Sequence, residues 1–317
     1  MDDSSRRISD PDTLARLDAI VIPPASTDVW ICPDPLGHLQ ATGRDARGRK
    51  VYRYHPDYRA HRDARKYDML PAFAAALPAI REQVERDLAR PCHDRRHTLA
   101  LVVDLLQWTH IRVGNDRYAK DHAHFGLTTL RRKHVRVNGS TVHFTFTGKS
   151  GKEHDIALSD PRLARAVRRC QDLPGHELFK YLDEEGERRR VGSGDVNTYL
   201  RELSGEDYTA KHFRTWAGTV TAAVVLREME PTISEKEKES NLVAAVKATA
   251  AHLGNTPTTC RKFYIHPRIF DAYRGEWLTP TLVELLEKVG PQAHEHHMWP
   301  EEAAVLALLQ AKEKASR

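Results

Sequence analysis

The residues with the greatest chemical reach in this sequence are a few basic side chains beside turns and one tyrosine beside a proline. Gly148-Lys149-Ser150-Gly151-Lys152 places a lysine at a hairpin tip between two glycines. Glycine there permits positive φ and removes side-chain bulk, so Lys149 can enter a narrow site. The run lacks the spacing of a phosphate-binding G-x-x-x-x-G-K-[ST] loop and no helix follows it, so by itself it reads as an ordinary soluble turn. Arg112 stands in Arg112-Val113-Gly114-Asn115, just after an apolar helical stripe, where a helix end can project a guanidinium into a cleft. Lys211 and Arg214 lie three apart in Lys211-His212-Phe213-Arg214-Thr215-Trp216, on one face of a helix that Phe213 and Trp216 anchor to the core. Two arginines brought together suit the non-bridging oxygens of a phosphodiester, whose geometry the planar guanidinium matches. Taken singly, each arginine reads first as a surface ion-pair residue.

Tyr264 belongs to the run His252-Leu253-Gly254-Asn255-Thr256-Pro257, continued by Phe263-Tyr264-Ile265-His266-Pro267. Gly254 ends one helix, Thr256 caps the next and Pro257 takes its first position. Pro267 keeps that second helix short, which leaves Tyr264 in its last turn. The default for such a residue is a packed ring with a wet hydroxyl. His294-Glu295-His296-His297 invites a metal, but adjacent histidines before Met298-Trp299-Pro300 read as a polar interhelical loop, and no metal is expected.

The elements that must position these groups fall into two parts. Up to about residue 90, short apolar runs are broken by turn signals: Val29-Trp30-Ile31-Cys32, then His38-Leu39-Gln40-Ala41-Thr42, then the alternating Lys50-Val51-Tyr52-Arg53-Tyr54. These predict a small antiparallel sheet, with a helix or two over 58–89 and a joint at 90–95. Beyond it the pattern is mainly helical. Leu99, Val102, Val103, Leu106 and Ile111 form a stripe after the capping candidate Asp94, and further helices begin near 160, 194, 211, 238, 257, 280 and 300. The exception is 134–158, where three strands are predicted, the first two joined at Asn138-Gly139.

Composition narrows the partners. The chain has 317 residues, 40% of them hydrophobic, enough for two domains with real cores. Four scattered cysteines without a CxxC pair argue against a disulfide framework and fit a reducing compartment. The N-terminus lacks the apolar run of a signal peptide, and no membrane span is expected. The net charge of +5 is unevenly spread: residues 44–66 hold nine Lys and Arg against three Asp, with Tyr52, Tyr54 and Tyr58 interleaved. Such a stretch suits a phosphate-backbone contact surface, although a solvated basic face would look the same.

Together, Arg112, Lys149, Arg214 and Tyr264, in this order and these contexts, resemble the catalytic set of type IB DNA topoisomerases of the compact bacterial and poxvirus-like branch. The resemblance covers nearly the whole chain. Gly37 to Asp45 and Lys50 to Tyr54 look like the DNA-gripping N-terminal domain, and Arg112 to Tyr118, Gly148 to Lys152, Lys211 to Trp216 and Asn255 to Pro267 look like the catalytic domain. It implies an α+β fold: a β-rich domain over 1–90, and a mainly helical catalytic domain over 91–317 that carries a three-stranded antiparallel sheet. It also implies relaxation of positive and negative supercoils without ATP, metal or other cofactor. Tyr264 would attack a phosphodiester to leave a 3′-phosphotyrosyl link, Arg112 and Arg214 would balance transition-state charge, and Lys149 would protonate the departing 5′-oxygen.

Around that centre, Lys211 would assist Arg214 or contact phosphate, Tyr118 would contact a neighbouring phosphate, and Arg44, Arg49, Lys50, Tyr52 and Tyr54 would touch DNA. The implied partner is duplex DNA, gripped by a monomeric clamp with no obligatory protein partner and no membrane, on the nucleoid in the cytoplasm. One departure matters: a histidine nine residues before the tyrosine in poxviral members is Asn255 here, which can donate a hydrogen bond but carries no charge. His252, three residues earlier, is a poorer match for that role. Val51, beside Tyr52, stands where poxviral members carry a base-contacting glutamine, which argues against strict sequence preference.

Two other readings compete. Tyrosine recombinases share the Arg, Lys, Arg and Tyr chemistry but usually carry a histidine at the position of Lys211, and their N-terminal domain is helical where 29–54 reads as strands. A non-catalytic DNA-binding protein would leave the ordered set of four residues unexplained.

Overall fold

The computed structural model describes residues 7–46, 48–229, 232, 234–289 and 297–311. His294, Glu295 and His296 of the histidine run and Arg47 of the basic stretch therefore lie outside the described residues. The fold is of the expected mixed class, with thirteen α-helices and small antiparallel sheets among the described residues. The chain forms two compact units that divide between Met69 and Leu70.

In the first unit, α1 (Pro11–Ala19) starts at Asp10, whose carboxylate accepts from the Thr13 amide at 2.8 Å. Strands β1 (Thr27–Ile31), β2 (Leu39–Arg44) and β3 (Lys50–Tyr54) form one antiparallel sheet in that order, as their alternation predicts. Cross-strand pairs such as Thr42 with Tyr52 set the register. The turn before β2 is held by buried Gln40, whose amide nitrogen donates to the carbonyls of Pro35 at 3.0 Å and Gly37 at 2.7 Å. Helix α2 (Pro56–Asp68) follows, and no described helix of the chain is long and apolar enough to cross a membrane.

The second unit begins with α3 (Leu70–Leu88), a helix that the residue pattern places before a domain boundary at 90. Its buried face, Leu70, Phe73, Leu77, Ile80 and Val84, packs on α4 (Arg95–Thr109), so the helix belongs with the core that follows it. The segment 90–95 is thus a turn inside one unit. Asp94 caps α4 by accepting from the amides of Arg96 at 2.7 Å and His97 at 3.1 Å. That helix is buried from His97 through Gln107 and forms the centre of the unit.

After a short α5 (Asp116–His122), strands β4 (Val135–Asn138), β5 (Thr141–Thr147) and β6 (Glu153–Ser159) make the three-stranded antiparallel sheet. Val142, Phe144 and Phe146 of β5 point inward. The remaining elements are α6 (Pro161–Asp172), the hairpin β7 (Lys180–Leu182) and β8 (Arg188–Arg190), α7 (Ser193–Ser204), α8 (Ala210–Arg227), α9 (Glu235–Leu253), α10 (Pro257–Phe263), α11 (Pro267–Arg274), α12 (Leu278–Val289) and α13 (Pro300–Gln310). Pro267, read as a stop signal, also starts α11, because His266 accepts from the Arg268 amide at 3.1 Å and caps it.

One buried polar hub ties α3, α4, α8 and α13 together. Arg81 of α3 forks onto Glu302 of α13 at 2.6 and 2.9 Å and donates to Gln107 of α4 at 2.6 Å. Trp216 of α8 donates its indole N–H to the same carboxylate at 2.8 Å, and the guanidinium lies 4.3 Å from the Trp299 ring centroid. Removing one partner of such a pair strands the other charge in the interior, at a cost of about 3–5 kcal/mol. Arg81→Ala should therefore lower the unfolding free energy by about that much in urea titration; a loss below about 1 kcal/mol would show that the hub does not hold these helices.

Candidate active site

Both arginines of interest sit where helices expose carbonyl groups that the helix itself does not use. Helix α4 ends at His110 in the left-handed region (φ 51°), and its stripe runs on through buried Ile111 to Arg112. The 112–114 segment is pinned edge-on: the Arg112 carbonyl accepts from the Leu127 amide at 2.9 Å and the Val113 carbonyl from Thr128 at 2.8 Å. Gly126 makes this approach possible, since a methyl group on it would lie 2.5 Å from the Arg112 carbonyl oxygen. Asn115 then caps α5 by accepting from the amides of Arg117 and Tyr118 at 3.0 and 3.3 Å, which leaves Tyr118 exposed beside the Arg112 turn.

Helix α9 ends at Gly254 (φ 64°), also left-handed, and the chain turns so that the Asn255 amide donates to the Ala250 carbonyl at 2.8 Å. Asn255 is nearly buried, and its Oδ1 accepts from the guanidinium groups of both Arg112 and Arg214, the latter at 3.2 Å. Guanidinium only donates, so the atom facing both must be the oxygen, and the amide nitrogen points elsewhere. That Nδ2 is buried and has no partner among the described residues. A buried, unused donor beside two cations is what an anion's oxygen would satisfy.

Arg214 leaves α8 one turn before Gly218 and is 3% exposed. It donates to the carbonyls of His110 and of Leu253, the latter at 2.7 Å, so the open ends of α4 and α9 hold it from two sides. Its Nε is buried without a partner among the described residues. Burial, then the neighbouring Arg112 charge, lowers the Arg214 pKa to about 10, partly offset by the Tyr264 side chain hydrogen-bonded to it. Arg112 is likewise lowered by burial and likewise offset by Tyr264. Two like charges in a low-dielectric site repel, and an anion placed between them would relieve both.

Tyr264 is the C-cap of α10, one residue past the last turn in which the sequence places it, with φ −132° and its amide donating to the Cys260 carbonyl at 2.9 Å. Helix α8 passes directly against it: a methyl on Gly218 would meet the Tyr264 carbonyl oxygen at 2.4 Å. Next along, the His266 amide donates to Thr219 of α8 at 3.1 Å. The tyrosine backbone is therefore set by the same helix that carries Arg214, whose guanidinium carbon lies 5.3 Å from the Tyr264 ring centroid.

Lys149 is different. It sits at the exposed tip between β5 and β6 and makes no hydrogen bond or ion pair among the described residues. The positive φ values of that tip fall on Ser150 (67°) and Gly151 (75°), while Gly148 serves close approach, to the His154 ring. Lys211, a turn before Arg214, is exposed and its side chain likewise has no partner among the described residues. His252 packs its ring 4.8 Å from that of His110, whose pKa burial pushes down to about 3, with His252 and Arg214 adding to the shift. Asn255, not His252, joins the two arginines.

In the first unit, Tyr52 and Tyr54 lie on one face of β3 with ring centroids 6.3 Å apart, and Lys50 Nζ sits 5.6 Å from the Tyr52 centroid. Tyr52 is 49% exposed. Arg44 pairs with Asp28 at 2.8 Å and Arg49 with Asp45 at 2.5 Å, so these two candidates already have local carboxylates. Such exposed pairs are weak and exchange readily for another anion. Glycines 126 and 218 and the His154 ring were not singled out by sequence reading; an isolated glycine inside the helix carrying Arg214 was the available signal for Gly218.

The chain matches two family descriptions: "Eukaryotic DNA topoisomerase I, catalytic core" over residues 55–277, and "Bacterial DNA topoisomerase IB, N-terminal domain" over residues 1–45. It is 29% identical over 280 residues to DNA topoisomerase 1B of Acanthamoeba polyphaga mimivirus, covering 86% of this chain and 83% of that one. It is 23% identical over 267 residues to DNA topoisomerase 1B of vaccinia virus (strain Copenhagen), covering 82% of each. DNA topoisomerase 1 of Mycosarcoma maydis is 22% identical over 212 residues, 59% of this chain and 20% of that one.

The shared acceptor suggests a test with opposite signs. Asn255→Asp puts a carboxylate between the two guanidinium groups, turning neutral-acceptor bonds into charge-assisted ones. It should raise the unfolding free energy by about 1–3 kcal/mol. It should also cancel the attraction for an external anion, so that added sulfate raises the melting midpoint less than in the wild type. An undiminished sulfate effect would mean that the two arginines are not an anion site.

Proposed function

The chain belongs to the type IB DNA topoisomerases, and on that premise we propose that Tyr264 cuts and reseals one strand of duplex DNA, with Arg112, Arg214, Asn255 and Lys149 as its helpers. The observation that carries this assignment is the convergence of Arg112 and Arg214 on the Asn255 amide oxygen, with the Tyr264 side chain hydrogen-bonded to both guanidinium groups. A phosphodiester oxygen between the two guanidinium groups and near the unused Asn255 Nδ2 would meet three donors, and the phosphorus would then face the tyrosine hydroxyl.

In cleavage, the Tyr264 oxygen bonds to phosphorus, its proton is released to solvent, and the bond to the 5′-oxygen breaks. The arginines stabilise the charge that builds on the non-bridging oxygens. Preorganised donors of this kind are worth about 100- to 1000-fold each in rate. The leaving 5′-alkoxide takes a proton from Lys149, whose exposed tip has the freedom to enter a DNA groove. The 3′-phosphotyrosyl bond keeps the energy of the original diester, so reversal reseals the strand with neither ATP nor metal. While the strand is open, rotation about the intact one releases supercoils of either sign.

Lys211 and Tyr118, exposed beside the two arginine turns, would contact flanking phosphates. The Lys50, Tyr52 and Tyr54 face would hold the backbone in the first unit, with Arg44 and Arg49 trading their carboxylates for phosphate. The working form is a monomer closed on duplex DNA, and that substrate places it on the nucleoid. Binding through so many cations should weaken steeply with salt.

The decisive test is relaxation of negatively supercoiled plasmid in EDTA without ATP, beside Tyr264→Phe. The wild type should relax the plasmid and leave protein covalently attached to a 3′ end when quenched with detergent, whereas Tyr264→Phe should bind equally well and do neither. Arg112→Ala or Arg214→Ala should slow single-turnover cleavage by about 100- to 1000-fold. Plasmid bound but not relaxed by the wild type would remove the assignment of Tyr264.

A further inference from the structure

Resting on the assignment of Lys149 as the proton donor, we propose that His154 is a positioning residue, an imidazole wedge that seats the Lys149 hairpin against the Arg112–Asn255–Arg214 cluster. The ring lies between two glycines, each of which immediately precedes a residue of the site. A methyl built on Gly148 would lie 2.6 Å from the ring at Cδ2 and Nε2, and one built on Gly254 would lie 2.7 Å from it at Cε1. Gly148 leads into Lys149 and Gly254 into Asn255. The ring thus touches both backbones at distances that no side chain at either position would allow.

The wedge is itself held. His154 stands opposite Phe146 in the β5–β6 ladder, and the two rings stack with centroids 4.8 Å apart and planes 11° from parallel. The hairpin tip moves with it, because the Gly148 amide donates to the Lys152 carbonyl at 2.7 Å and the Gly151 amide to the Gly148 carbonyl at 3.1 Å. On the other side, the Gly254 carbonyl accepts from Arg112 at 3.4 Å. One ring therefore sets the spacing between the base of the Lys149 hairpin and the turn that carries the anion site.

The chemistry of the ring suits this use. Burial, then the charges of Arg112, Lys152 and Arg214, hold its pKa below the ordinary histidine value, with Glu153 opposing. An uncharged ring adds no further cation to a crowded set. Among the described residues its nitrogens make no hydrogen bond, so its contacts with the protein are those of shape and stacking, which another aromatic ring can supply.

A misplaced proton donor has a signature that a damaged anion site does not share. If the 5′-bridging oxygen of the cleaved diester is replaced by sulfur, the thiolate leaves without a proton, and defects in proton delivery disappear. On ordinary DNA, His154→Ala should cleave about 10- to 100-fold more slowly than wild type, in line with the cost of misplacing a reacting group by about 1 Å. On the 5′-sulfur substrate it should come within about threefold of wild type, as Lys149→Ala should, since leaving-group protonation is then unnecessary. His154→Phe, which keeps the ring and removes the nitrogens, should retain ordinary cleavage to within about fivefold if stacking and volume carry the role.

Melting midpoints of the variants separate misfolding from misplacement, and His154→Leu takes the place of the alanine variant if that one does not fold. The wedge is overturned if folded His154→Ala is equally slow on both substrates, or if folded His154→Phe is as slow as His154→Ala. Failure of sulfur to rescue Lys149→Ala would instead remove the proton-donor assignment itself.

Discussion

Arg112 and Arg214 meet on one amide oxygen, and most of the second unit can be understood as what it takes to keep two guanidinium groups there. Like charges in a buried site would ordinarily be neutralised by carboxylates, but a carboxylate would also cancel their positive field. The solution here uses dipoles. Helix α4 ends at His110 and helix α9 at Leu253-Gly254, both in left-handed turns, and Arg214 takes carbonyl oxygens from each end. The negative end of a helix dipole and its unpaired carbonyls stabilise a cation without removing its charge. Asn255 completes the arrangement with a neutral oxygen, so the net positive charge of the pair survives.

Such an arrangement tolerates little movement, and the backbone around it is packed to distances where only glycine fits. Gly126 lets one strand-like segment lie against the Arg112 carbonyl, and Gly218 lets α8 lie against Tyr264. Further out, the Arg81–Glu302 hub locks α3, α4, α8 and α13 into one frame. These contacts fix the backbone that carries the tyrosine and both arginines. Lys149 stands outside that frame, on an exposed hairpin tip. Only the base of its hairpin meets the arginine cluster, where the His154 ring lies against Gly148 and Gly254.

Much of this was legible in the residues. The alternation in 50–54, the stripe from Leu99 to Ile111, the capping at Asp94 and Thr256 and the left-handed turn at Gly254 are local rules, and local rules act through neighbours in sequence. The order of Arg112, Lys149, Arg214 and Tyr264 was enough to suggest their joint use. The grouping of α3 with α4 was not legible, because α3 looks like a free amphipathic helix until its partner surface on α4 is known.

What the sequence determined alone was the identity of the elements and of the chemical groups, because propensity, capping and residue type are properties of short segments. What only the tertiary structure decided was which groups share a partner: that Asn255 and not His252 accepts from both arginines, that α8 supplies both Arg214 and the seat of Tyr264, and that His154 lies between Gly148 and Gly254. Apart from the contact of His154 with Gly148 in its own hairpin, those pairings join residues tens to more than a hundred positions apart, and they depend on how helix ends converge. No periodicity or motif encodes that convergence, since it arises from packing the whole core at once.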